Sequence, residues 1–208
     1  MGLKKGVLIT FEGIEGCGKS TQIEKIFKFL KKRKIKCIKT REPGGTRLSE
    51  KIRKLIIYDL KNNEDNLTEL LLLFASRSNH FIKMSKYLKK KYVVICDRYI
   101  DSTYAYQHYE QGQNLKFINF LQKKIDKGVK PNITFFLDVT PSISKNRVLK
   151  RKKLDRFDRY NKTKMNNLRK SFLKLAKKYK RIVKIDGSKN KNEVHNDIIK
   201  ILTKKNVI

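Results

Sequence analysis

The sequence predicts an α/β fold, a doubly wound five-stranded parallel sheet flanked by helices. Two observations carry this expectation. Five short apolar runs alternate with longer stretches of helical periodicity along all 208 residues. A glycine-rich loop, Gly13-Ile14-Glu15-Gly16-Cys17-Gly18-Lys19-Ser20, joins the first run to the first helical stretch. Strand and helix in alternation require right-handed crossovers, and ligands in such sheets gather at the carboxyl ends of the strands.

Taken in order, the apolar runs are Val7–Phe11, Ile35–Thr40, Tyr92–Cys96, Ile133–Val139 and Arg181–Ile185. Several are nearly continuous rather than alternating, as expected of parallel strands covered on both faces. Between them, Thr21–Lys32 places Ile23, Ile26, Phe27 and Leu30 on one helical face. Helices are predicted over Leu48–Leu60, Asn66–Leu88, Asn114–Lys127, Ser142–Lys150, Lys162–Tyr179 and Lys191–Lys204. No repeat, linker or composition shift divides the chain, so residues 1–208 are expected to form a single domain.

With 39% hydrophobic residues, the chain has enough apolar content for a substantial core. No apolar run approaches the length of a membrane span, and the first strand follows Met1–Gly6 too closely for a signal peptide. Gly6 stands where a myristoylation motif requires Ser or Thr. A soluble, cytoplasmic protein is expected. The three cysteines are odd in number and have no metal-like spacing, which argues against a disulfide framework. Cys37 and Cys96 read as small buried hydrophobes.

The net charge of +33 at pH 7 on its own suggests a nucleic-acid partner. Its composition points elsewhere. Lys far outnumbers Arg, and the abundant Lys, Asn and Ile all have A/T-rich codons. The lysines also fall in scattered clusters such as Lys31-Lys32, Lys89-Lys90-Lys91 and Lys177-Lys178, at predicted helix ends. A solvated basic surface is expected, with no nucleic acid and no membrane as partner. The same field attracts anionic nucleotides.

The loop at residues 13–20 has the form G-x-x-x-x-G-K-S between a strand and a helix. Its backbone N–H groups and the helix dipole suit the phosphates of ATP, Lys19 reaches the β- and γ-phosphates, and Ser20 ligates Mg²⁺. An ordinary glycine turn would need neither flank. The third run ends in Asp97-Arg98. An aspartate there holds Mg²⁺ opposite the loop serine, and the Arg98 fork suits a phosphate. The second run ends in Arg41-Glu42-Pro43-Gly44-Gly45-Thr46-Arg47, a rigid turn with charged flanks. A basic segment at about residues 145–160 carries Arg147, Arg151, Arg156 and Arg159, the makeup of a short lid that neutralises charge during transfer.

Three segments together closely resemble the bacterial branch of the thymidylate kinase family. They are Phe11–Gln22, Arg41–Thr46 and Asp97-Arg98-Tyr99-Ile100-Asp101-Ser102-Thr103-Tyr104-Ala105-Tyr106-Gln107, in the family's order and spacing. The resemblance implies a P-loop NTPase fold of the nucleoside monophosphate kinase-like type with a short lid. It also implies transfer of the ATP γ-phosphate to dTMP with Mg²⁺, and a homodimer. Glu15 corresponds to the carboxylate that bonds the dTMP 3′-hydroxyl, Arg98 to the arginine on the acceptor phosphate, with Arg47 assisting. Tyr106 corresponds to the tyrosine that excludes a 2′-hydroxyl, and Thr103 and Gln107 to positions lining the base. Arg77 matches the arginine at thymine O4.

The family places an aromatic residue four positions before that arginine, whereas here Phe74 stands three before it and Leu73 four. Either Phe74 or Leu73 is expected on the base. Gly16 stands where one branch carries a loop arginine, so the resemblance assigns the transition-state cation to the lid, first to Arg151 and then to Arg147 or Arg156. Ile185-Asp186-Gly187-Ser188 resembles the loop supporting adenine. His80, His108 and His195 have no supporting constellation, and His195 is expected to be exposed. Alternative readings are a P-loop kinase for another nucleoside monophosphate or a deoxynucleoside, and a nucleotide-dependent nucleic-acid-binding protein.

Overall fold

In the computed structural model, described for residues 5–60, 66–126, 128–150, 154 and 156–207, a five-stranded parallel sheet runs in the order β2-β3-β1-β4-β5. Its strands are β1 (Val7–Glu12), β2 (Cys37–Arg41), β3 (Val93–Asp97), β4 (Ile133–Asp138) and β5 (Ile182–Asp186). Every residue of β1 is buried, and so are five consecutive residues of β4. Side chains alternate between faces, so consecutive burial requires cover on both. Phe11 and Phe135 meet across the β1–β4 pair with ring centroids 5.4 Å apart.

The cover comes from helices α1 (Lys19–Lys32), α2 (Arg47–Lys54), α3 (Asn66–Lys89), α4 (Ile100–Thr103), α5 (Leu115–Asp126), α6 (Pro141–Val148), α7 (Lys162–Lys178) and α8 (Lys191–Lys204). In α1 the apolar face predicted from spacing is the buried one, with Ile23, Ile26 and Leu30 inward. Local signals fix several starts. Thr46, Thr140 and Asn161 each accept a backbone N–H in the first turn of α2, α6 and α7, and Asn190 with Glu193 forms a reciprocal cap on α8.

Two departures from the expected elements bear on the site. The helix expected over Leu48–Leu60 divides: α2 ends at Lys54 and continues as a π-helical turn over Leu55–Asp59. More consequential is Tyr104–Glu110, which lies in none of the predicted helices and forms a π-helical continuation of α4. Tyr104, Ala105, Tyr106 and Gln107 are all buried. Four consecutive inward residues do not fit the stripe of a regular α-helix, and the wider turn accommodates them.

The parallel registers bring the functional ends together. β1 pairs with β3 from Val7↔Val93 to Phe11↔Asp97, and β3 pairs with β2 up to Arg41↔Asp97. The glycine-rich loop, Asp97-Arg98 and the turn after Arg41 therefore emerge at one sheet edge. Replacing Phe135, fully buried at the centre, tests the packing on which this edge stands. Phe135→Ala should lower unfolding free energy by about 3–5 kcal/mol in urea denaturation, and a loss below about 1 kcal/mol would show that the sheet does not rest on this contact.

Candidate active site

The loop between β1 and α1 takes its shape from glycines that no other residue replaces. Gly13 and Gly16 have φ of 138° and 70°, and a Cβ on either would lie 2.7 Å from Leu137 O or 2.6 Å from Ser144 O. Ser144 of α6 also donates its hydroxyl to Glu15 O, tying the loop to the next layer. Gly18 begins α1 without a side-chain cap, leaving the helix's first N–H groups for an anion. Lys19 bends over the loop, donating to Gly13 O at 2.9 Å and Ile14 O at 3.1 Å.

A cleft of about 700 Å³ opens from this loop and runs to α3. Gly16, Cys17, Gly18, Lys19 and Ser20 line its loop end, while Leu73, Arg77, Thr103, Tyr106 and Gln107 line the far end. Glu15 and Arg98 stand between. Glu15 Oε1 accepts from Arg98 Nη2 at 2.6 Å, and both Glu15 oxygens lie within 3.0 Å of the Tyr106 hydroxyl, which donates to one of them. Arg98 adopts φ of 67°, a left-handed conformation that turns its side chain from the strand end, and its guanidinium lies 5.2 Å from the Tyr106 ring centroid. Burial opposes the charge on Arg98, but Tyr106, Glu15, Glu12 and Asp97 more than compensate and push its pKa well up. Burial also raises the Tyr106 phenol well above its usual range, so it serves as a donor.

At the far end, Arg77 is almost wholly buried and held on three sides. It donates from Nε to Glu42 at 2.6 Å, from Nη2 to Thr103 at 2.9 Å and from Nη1 to Gln122 at 3.2 Å. Burial works against the Glu42 carboxylate, and Arg77 with His80 outweighs it, leaving its pKa below the usual value. Gln107 donates to Glu69 at 2.8 Å, and Glu69 also pairs with Arg156.

At the position predicted to hold a metal, Ser20 donates to Asp97 Oδ2 at 3.2 Å, while the buried Asp97 Oδ1 has no hydrogen-bond partner among the described residues. An unpaired carboxylate oxygen beside a hydroxyl at the phosphate loop suits a hard divalent cation that keeps most of its water.

Most of the site predicted from sequence converges on this cleft, and some of it does not. Arg47 is the exposed first residue of α2 and does not line the cleft, whereas Arg53, in the last turn, does so and donates to Pro43 O at 3.1 Å. Phe74 faces the core at 3% exposure with Arg77 stacked over it, so Leu73 is the residue presented to the cleft. The three-residue spacing puts Phe74 on the core stripe of α3. Arg147 reaches the cleft and donates to Gly187 O at 2.9 Å, whereas Arg156 is drawn instead to Glu69. Arg151 lies outside the described residues. His195 is half-buried against Phe29, not exposed.

Sequence reasoning passed over Arg53, Glu69, Gln122 and Glu12. Arg53 sits among Lys51 and Lys54 with nothing to mark it. Glu12 carries a readable signal, a carboxylate ending an otherwise apolar central strand. Burial first and Asp101 second push its pKa up to about 8, against Arg98 and hydrogen bonds from Ser102 and Tyr99.

Residues 11–198 match the family model described as thymidylate kinase. The chain is 40% identical over 205 residues to the thymidylate kinase of Sulfurihydrogenibium sp. (strain YO3AOP1), covering 98% of this chain and 100% of the relative. It is 40% identical over 204 residues to that of Rickettsia bellii (strain RML369-C), covering 96% and 97%. Its fold is similar to a crystal structure of thymidylate kinase from Ehrlichia chaffeensis, with a TM-score of 0.78 at 34% identity and coverage of 95% and 99%. By the family model, the identity to these relatives over nearly the whole chain and the shared fold, the chain belongs to the thymidylate kinase family.

Proposed function

We propose that the protein transfers the γ-phosphate of ATP to dTMP, giving dTDP, by in-line displacement with Mg²⁺. The observation that carries this reading is the contact of Glu15, inside the phosphate loop, with Arg98 and Tyr106 on the facing wall. A carboxylate at a triphosphate site repels phosphate, so its place in the loop favours a second role there, accepting from a hydroxyl of the other substrate. Here that hydroxyl is the acceptor's 3′-OH, and Arg98 exchanges its Nη2 contact from Glu15 to the acceptor phosphate. Tyr106 packs beside the sugar where a 2′-hydroxyl would need room and a partner.

The chemistry is positioning and neutralisation. Lys19 moves from its carbonyl partners onto the β- and γ-phosphates, a short swing because the loop already surrounds it. Ser20 and Asp97 would hold Mg²⁺, which would neutralise charge on the phosphates when bound. The acceptor phosphate is already an anionic nucleophile, so the chain supplies no general base. Arg77 and Thr103 address the base edge, and Leu73 covers it with less polarisable contact than an aromatic ring. Arg147, bridging to the Gly187 loop, serves the adenine end. The lid cation is assigned to Arg151. The exposed Leu71 and Ile82 of α3 favour a homodimer through that helix, and the composition favours a cytoplasmic enzyme.

A coupled assay with dTMP, dUMP, dGMP, AMP and thymidine tests the assignment. dTMP should be the best acceptor, and preference for another would overturn the reading. Glu15→Gln should reduce kcat/KM for dTMP by about 10- to 100-fold, with ATP affinity changed far less. Equal losses toward both substrates would remove Glu15 from the acceptor site. Arg53→Ala should raise KM for dTMP by about tenfold or more, while Arg47→Ala stays within about twofold of the parent. The reverse pattern would return the acceptor role to Arg47.

A further inference from the structure

In the exchange proposed above, Arg98 passes from Glu15 to the acceptor phosphate, which calls for a guanidinium held at its other end. The other end of the fork supplies the anchor. Arg98 Nη1 donates to Ser102 Oγ at 2.9 Å, and Ser102 Oγ lies 2.6 Å from Glu12 Oε2. Glu12 is wholly buried at the end of β1, and its Oε1 accepts the backbone N–H groups of Tyr99 at 2.7 Å and Ser102 at 3.2 Å.

The carboxyl group is therefore locked by the first turn of the very helix that carries Ser102. The contact with Ser102 is a hydrogen bond in either protonation state. An ionised Glu12 accepts from the hydroxyl, and a neutral one donates to it. Both orient an Oγ lone pair toward Arg98 Nη1. Ser102 also lines the cleft, so the chain of contacts runs from the buried strand end to the acceptor wall without interruption.

We propose that Glu12 is a positioning residue for phosphoryl transfer, acting through Ser102 to hold the Arg98 guanidinium while its other nitrogen passes from Glu15 to the acceptor phosphate. The inference rests on the dTMP kinase reading. It adds that the end of β1 positions the acceptor, besides launching the loop that holds the donor. Such second-layer support is what fixes a fork of this kind to the fraction of an ångström that in-line transfer requires.

Steady-state kinetics on the full-length protein tests it. Ser102→Ala should lower kcat/KM for dTMP about tenfold or more and leave KM for ATP within about twofold, whereas Ser102→Thr, which keeps the hydroxyl, should recover most of the loss. Glu12→Ala should show the same split, Glu12→Gln a milder one, and the Glu12→Ala/Ser102→Ala double variant should be no worse than the poorer single. Parental dTMP kinetics in Ser102→Ala, additive losses in the double variant, or equal losses toward both substrates would overturn the proposal. If Glu12→Ala does not fold, the Ser102→Ala and Ser102→Thr pair decides. A parent that turns over no dTMP would instead remove the functional reading itself.

Discussion

The parallel pairing of β1 with β3, ending at Phe11↔Asp97, is the constraint on which the site depends. It sets the height at which the phosphate loop leaves the sheet relative to Asp97 and Arg98. A slip of one residue would turn each side chain of β3 to the opposite face, taking Asp97 away from Ser20 and Arg98 away from Glu15. The register is held because both strands are buried on both faces. Any other alignment would force the close-packed side chains of both layers to repack at once.

From that edge, the site is built of charges that answer one another before substrate arrives. Glu15 pairs with Arg98, Lys19 with loop carbonyls, and Arg77 with Glu42. The pairs differ in what surrounds them. Arg77 and Glu42 lie almost wholly out of water, and Gln122, Thr103 and His80 complete their hydrogen bonds, so this pair is a fixed part of the wall. Glu15 and Arg98 keep some solvent contact and face the cleft, which makes theirs the pair a ligand can divide. The difference separates residues that fix the wall of the cleft from those whose charges a ligand can reach.

Much of the site was legible because it lies in contiguous segments. The loop from Gly13 to Ser20 brings its own glycines, lysine and hydroxyl, and each has a chemical reason visible in the sequence. Asp97-Arg98 was legible for the same reason, as a charged pair closing an apolar strand. Arg53 and Glu69 were not, since nothing local distinguishes an arginine in a basic helix end or a glutamate in a first helical turn from their solvated neighbours. The resemblance favours Arg47, next to the Pro43-Gly44-Gly45 turn, but this first residue of α2 is exposed, whereas Arg53 in the last turn lines the cleft. Phe74 against Leu73 was undecidable from spacing, because three and four residues are both one helical turn.

The sequence by itself determined the alternation of five strands with the longer helices, the phosphate loop and the charged Asp97-Arg98 strand end, since these follow from apolar periodicity and from glycine and charge within a few consecutive residues. Only the tertiary structure decided which side chains of α2 and α3 face the cleft. It alone gave the wide helical turn that lets Tyr104–Gln107 all point inward, and the link from Glu12 through Ser102 to Arg98. Those depend on how separate elements rotate against one another when they bury their apolar faces, a choice made by packing across long sequence distances that no local pattern records.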